Sequence, residues 1–234
     1  MDYGGELLRA FHLLFFGIFI PVIAVRSRRR LASRYLASRK RQYRAMIVQL
    51  ALFASFSMVV ARFSGIELFP RRLPSMRSAA AGLLFLVLAV LLMRPRWRKA
   101  VVERKRIVYF FMPSDRAERL MWITASALAG FGEELTWRGV QTALLAALTG
   151  SAAVAIALCI AMFAVSHIQQ GWKSVFIIAP FAAAFHLLVW LSGSLYVAMA
   201  VHFLYDAIAG LTYARLGRGQ WTIDNGQSTM RNGG

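Results

Sequence analysis

This sequence is poor in cysteine and in acid. Cys159 is the single cysteine among 234 residues, which excludes an intramolecular disulfide framework and any cysteine-based metal cluster. Its apolar neighbours make it a small buried hydrophobe. Asp and Glu number 10 against 28 Lys and Arg, and charged residues of both signs make up only 16% of the chain. An average soluble domain carries about 25% charge, so the shortage points away from a protein wholly surrounded by water. Six prolines leave long stretches free of helix breakers, and no internal repeat or second domain is apparent. The net charge of +18 would suit a nucleic-acid partner. The basic residues, however, lie in short runs between long apolar segments, and no nucleic acid is expected.

What is abundant is apolar: 59% of residues are hydrophobic. Stretches long enough, or nearly so, to cross a bilayer run over 7–25, 45–61, 78–93, 120–149, 151–165, 175–191 and 195–211. The expected fold is all-α, a polytopic transmembrane helix bundle of about seven spans. The fourth stretch is too long for a simple span and begins with Asp115 and Glu118 in capping-box spacing, which suggests a start along the interface. The first is not a secretion signal, because Asp2 and Glu6 precede it and Arg26, Arg28, Arg29 and Arg30 follow it. Trp97, Trp122, Trp172 and Trp190 fall near span ends, where an aromatic belt is the default expectation.

Basic residues set an expected orientation. Positions 26–44 hold nine Lys/Arg and no acid, and 94–119 hold nine more against three acids. With Lys173, Arg215, Arg218 and Arg231, one side of the membrane carries 22 and the other only four, all within 62–77. The positive-inside rule then places the amino terminus outside and the carboxyl terminus in the cytoplasm of a multi-pass plasma-membrane protein, with the basic loops against anionic lipid heads. The Gly-rich end, 217–234, is expected to be mobile.

Ionisable groups inside apolar spans cost about 2.5–3.5 kcal/mol each at mid-helix and therefore need a reason to be there. Glu133-Glu134-Leu135-Thr136-Trp137-Arg138 is the first such group. Helical spacing stacks Glu134 over Arg138, where they can pair. Glu133 projects about 100° away and has no such cation, so it is the carboxylate free to exchange protons. Phe163-Ala164-Val165-Ser166-His167 is the second. Glu133 lies 17 residues before Gly150 and His167 lies 17 after it, so an antiparallel hairpin places both at equal depth, about 25 Å from the turn. The third is His202-Phe203-Leu204-Tyr205-Asp206, with both ionisable groups on one helix face. Counted from the turn at 192–194, Asp206 lies about 18 Å deep and His202 is shallower than Glu133 by more than a turn, a mismatch that tilted or broken helices would have to absorb. His12 and His186 fit no motif and are expected to be satisfied core or interface histidines.

This ordered trio, each motif on its own membrane helix, resembles the CPBP intramembrane proteases, which include the CAAX-prenyl endopeptidases and Abi-like bacterial relatives linked to bacteriocin processing. The resemblance covers about 112–211. It includes the Met-Pro lead-in, Gln170-Gly171 after the second motif and Ser192-Gly193-Ser194-Leu195 before the third. With it, three parts are expected: spans with basic cytoplasmic loops over 1–111, which resemble nothing specific, a catalytic helical core over 112–213 and a polar tail over 214–234. The resemblance also implies a bacterial peptidase acting on a membrane-associated protein or peptide. Glu133 and His167 would deprotonate the hydrolytic water, and His202 with Asp206 would stabilise the oxyanion. Glu134, Arg138 and Phe163 would support them. Asp stands at 206 where the CAAX enzymes have Asn, and an ionised carboxylate donates no hydrogen bond, so Asp206 either orients His202 or stays protonated. A metal-free, glutamic-type mechanism is favoured and no cofactor is expected. The alternative is a zinc enzyme using Glu133, His167, His202 and Asp206 as ligands, although no His-Glu-x-x-His pair exists. The non-enzymatic alternatives are a silent membrane partner or a proton-coupled transporter, the latter disfavoured by the lack of inverted repeats.

Overall fold

The computed structural model describes residues 3–33, 38–71, 73–103, 105–218, 221–224 and 227–230. Helix α1 (Tyr3–Leu14) passes through a π-turn, Phe15–Phe19, into α2 (Ile20–Ser33). Then come α3 (Arg39–Ser64), α4 (Met76–Val102) and the short α5 (Arg106–Phe110). Helix α6 (Arg116–Glu133) continues without a break through a π-segment, Glu134–Gln141, into α7 (Thr142–Thr149). Helix α8 (Ala152–Ser166), a 3-10 turn at Ile168–Gln170, α9 (Trp172–Ser192) and α10 (Tyr196–Leu216) complete the bundle.

Among the described residues five helical stretches are long and apolar enough to cross a membrane: Tyr3–Ser27, Arg39–Ser64, Met76–Val102, Trp172–Ser192 and Tyr196–Leu216. The other two expected stretches correspond to the shorter apolar helix Ala152–Ser166 and the continuous helical run over 116–149. Leu7, Leu52, Leu83, Leu92 and Phe176 stand exposed on the outer faces, as lipid-facing residues of a helical membrane bundle do. The expected mobile tail lies partly outside the described residues. Within it, Trp221–Asp224 pairs antiparallel with Gln227–Met230, Trp221 opposite Met230.

Sequence chemistry sets the helix ends. The Asp115 side chain accepts from the Glu118 amide at 2.8 Å, as the capping spacing predicts, and Ser151 accepts from the Val154 amide. Gly150 ends α7 with φ of 68°, a left-handed conformation that glycine adopts without a Cβ penalty, and this makes the α7–α8 hairpin. A surface ion pair with Lys40 holds the Asp115 carboxyl below the usual carboxylate range.

Small residues bring the helices together, as expected where lipid leaves packing to drive association. Helix α6 is wedged between α3 and α10. A Cβ at Gly130 would stand 2.7 Å from the Met199 carbonyl oxygen and the Phe203 nitrogen, so the α6 and α10 backbones touch there. Two residues on, a Cβ at Gly132 would meet the Leu50 carbonyl oxygen of α3 at 3.2 Å. The Gly-Phe-Gly sequence just before Glu133 is therefore a double contact that fixes the first motif against two neighbours at once.

Two of the four tryptophans depart from the expected belt. Trp97 and Trp122 are buried. Trp97 packs on Tyr205 and Tyr213, and the Trp122 indole lies over Gly210 and donates to the Asp206 carbonyl oxygen at 3.0 Å. Proximity to a span end does not decide orientation when a glycine on the neighbouring helix leaves room for a ring. Trp172 and Trp190 are exposed as expected.

Candidate active site

The first motif sits at a change of helical geometry. Glu133 is the last residue of α6, and Glu134 begins the π-segment that ends at Gln141. A π-turn closes i→i+5 hydrogen bonds, is rare, and is frequently found at functional sites. The regular α-helical projection used for the sequence therefore does not hold across this segment, yet the pairing it anticipated does. Arg138 Nη1 lies 3.2 Å from Glu134 Oε1, with both side chains fully buried. The guanidinium also sits 4.4 Å above the Phe163 ring and 5.4 Å from that of Phe185, within cation–π range.

His202 is the hub. The Gly130 contact brings α10 level with the first motif, which removes the depth mismatch counted along ideal helices. The His202 Nδ1 edge lies 2.8 Å from Glu134 Oε1. Its Nε2 edge lies 3.6 Å from Asp206 Oδ2 and 3.9 Å from Glu133 Oε2. Three carboxylates thus surround one imidazole, whose ring stacks on Phe185 at 5.1 Å.

His167 stands where α8 ends, and its Nδ1 lies 2.8 Å from the Phe163 carbonyl oxygen. A carbonyl only accepts, so the proton of this bond is on Nδ1, and in neutral His167 the Nε2 lone pair is free. Its ring packs on Phe163 at 4.6 Å, within electrostatic reach of Asp206. Phe163 is therefore the shared wall between Arg138 and His167. Among the described residues no hydrogen bond or ion pair joins Glu133 directly to His167; the direct neighbour of Glu133 is His202.

Among the described residues no group of three or more His, Cys, Asp or Glu is arranged to hold a metal ion. Both motif imidazoles use Nδ1 on an oxygen acceptor, His202 on Glu134 and His167 on the Phe163 carbonyl, which fixes each ring and leaves its Nε2 for a water or a metal ion.

His12 is a satisfied core histidine, fully buried with both ring nitrogens hydrogen-bonded. His186 is also buried, but it interacts electrostatically with Glu134 and Arg138 and so lies beside the site. Its placement as an ionisable group inside a span was the signal for this. Phe185 carried no such signal, because an aromatic residue in an apolar span is indistinguishable from ordinary core.

No curated protein and no solved structure matches the chain. A family does match, over residues 115–208, a segment that covers less than half of the chain but holds all three motifs. Residues 115–208, from the cap of α6 to the hub helix α10, match the type II CAAX prenyl endopeptidase Rce1-like family, which supports the resemblance of this core to the CAAX proteases.

Proposed function

We propose that this protein hydrolyses a peptide bond of a membrane-associated protein or peptide with a water activated jointly by Glu133 and His167. The observation that carries the reading is the shared anchoring of the two motif imidazoles. Each spends Nδ1 on a fixed acceptor and keeps Nε2 for chemistry. Glu133, approached only loosely by His202 at 3.9 Å, takes one water proton while His167 Nε2 orients the same water. The resulting hydroxide attacks the carbonyl carbon. His202, charged and held by Glu134, donates from Nε2 to the oxygen that becomes negative. Asp206 orients that edge of the ring before substrate arrives, the role left to a residue that cannot donate when ionised. The proton held by Glu133 then passes to the leaving amine as the C–N bond breaks. Arg138 balances Glu134, so that this carboxylate stays a fixed acceptor and does not compete for the water proton. The family's description makes a prenylated CAAX-type carboxyl terminus the first substrate to test.

The test uses full-length protein in lipid nanodiscs with a prenylated CAAX-type peptide, and compares membrane proteomes of cells carrying wild type or Glu133→Gln. Removing a general base costs about 10²–10⁴ in rate. Glu133→Gln and His167→Ala should each lose that much, and the double variant little more, because the two act as one unit. Cleavage by Glu133→Gln at the wild-type rate refutes the reading.

A further inference from the structure

The N-terminal helices contribute to the site although they lie outside the matched segment. His12, in the last turn of α1, is fully buried, its ring against Phe16 at 4.6 Å and Phe56 at 5.5 Å. Its Nδ1 lies 2.9 Å from Gln141 Oε1 and its Nε2 lies 3.0 Å from the Ser57 hydroxyl of α3. The Ser57 oxygen is in turn 2.9 Å from the Thr136 hydroxyl. Ser57, Thr136 and Gln141 are as buried as His12. Donors run through this chain without conflict, from Thr136 to Ser57 to Nε2 on one side and from Nδ1–H to Gln141 on the other.

The two ends of the chain, Thr136 and Gln141, both belong to the π-segment and flank Arg138 within it. A π-turn is a less common geometry than the α-helix on either side, and tertiary contacts must hold it in place. A relaxation to α geometry would turn the residues after Glu133 about the helix axis and alter the reach of Glu134 and Arg138 towards His202.

We propose that His12 is a positioning residue that clamps the π-segment at Thr136 and Gln141 and thereby sets the Glu134–His202 contact. The catalytic half of this inference rests on the endopeptidase reading, and the structural half does not. The experiment compares full-length wild type with His12→Phe and Thr136→Val in nanodiscs, by amide hydrogen exchange and by cleavage of the prenylated peptide. Phe keeps the ring packing on Phe16 and Phe56 and removes both hydrogen bonds. Each buried hydrogen bond is worth a factor of about 5–10 in a local closing equilibrium. Amides of 134–141 should therefore exchange roughly thirtyfold faster in His12→Phe and about fivefold to tenfold faster in Thr136→Val, with α8 unchanged. Because His12 acts through the π-segment and touches no substrate, kcat should fall at least tenfold with KM within about twofold. His12→Gln, whose amide still reaches Ser57, should recover part of both effects.

Wild-type exchange over 134–141 in His12→Phe overturns the clamp. So does acceleration spread evenly over all helices, whereas faster local exchange with unchanged kcat overturns the positioning of the site by His12. Should His12→Phe fail to fold, Thr136→Val decides by the same criteria. Failure of the wild type itself to cleave the peptide counts against the endopeptidase reading alone, and the exchange pattern then still settles whether His12 holds the π-segment.

Discussion

Arg138→Met gives the sharpest test of how the site is held together. The substitution keeps a long flexible side chain but removes the guanidinium that sits 3.2 Å from the fully buried Glu134 carboxylate. Breaking a buried pair by deleting one partner costs about 3–5 kcal/mol, because the other charge is left uncompensated. Glu134 keeps its 2.8 Å bond to His202 Nδ1, and a hydrogen bond to a charged group offsets about 1.5–3 kcal/mol. Loss of the cation over Phe163 and Phe185 adds about 1–2 kcal/mol. The net destabilisation is about 2–4 kcal/mol. At about 2–4 °C per kcal/mol for a chain of this size, the melting temperature in nanodiscs should fall by roughly 4–16 °C. The double variant Glu134→Gln/Arg138→Met removes both charges and should recover at least half of the loss, since replacing a whole buried pair is often neutral. The assay is a double-mutant thermal-unfolding cycle on purified protein. Arg138→Met melting within about 2 °C of wild type, or a double variant no better than the sum of the singles, refutes the pair.

Other outcomes follow from the same features. A reporter fused after Gly234 should be active only in the cytoplasm, given 22 basic residues on one side against four on the other; activity only in the periplasm overturns that orientation. Purified protein should hold no stoichiometric zinc, and near-equimolar zinc with activity lost to chelator and restored by zinc would establish the metal mechanism instead. Gly130→Ala should push α6 from α10, because its Cβ would lie 2.7 Å from two α10 backbone atoms. Cleavage should then fall with the Glu134–His202 contact, and wild-type activity for that variant would show that the close approach does not set the site.

The helical bundle was legible in the sequence because a bilayer imposes a length and an apolarity on each span that composition reports directly. The Glu134–Arg138 pair was legible too, because residues four apart share a helix face and a buried carboxylate needs a cation. The π-turn was not. An i, i+4 pair satisfies both helical geometries, and nothing in Glu-Leu-Thr-Trp-Arg-Gly-Val-Gln marks a widened turn. The equal spacing about Gly150 assumed regular α geometry on both arms, and the π-segment lies within one of them. The approach of His202 to Glu133 was not legible for the same reason: the count along the chain left His202 more than a turn away, whereas the Gly130 contact raised it to Glu133. Trp122 and His12 show the complementary limit. Their span positions suited a belt residue and a core histidine alike, and only the neighbours, Gly210 for one and Gln141 with Ser57 for the other, decide what they do.

Two glutamates stand side by side where α6 meets the π-segment. Both keep ordinary right-handed helical dihedrals, φ −73° and ψ −40° at Glu133 and φ −64° and ψ −43° at Glu134. Adjacent side chains on such a helix diverge by about 100°, so a ring that lies between them is met from two sides. The two carboxylates reach opposite edges of one ring, Glu134 at His202 Nδ1 and Glu133 near Nε2. The environments of the two then separate their tasks. Glu134 is fully buried between Arg138 and Nδ1 and is fixed as an acceptor. Glu133, with a side chain 21% exposed and a looser 3.9 Å approach, retains the freedom to turn to a water. The geometry of the helix itself is thus what lets neighbouring residues of the same type serve as a support and as a base.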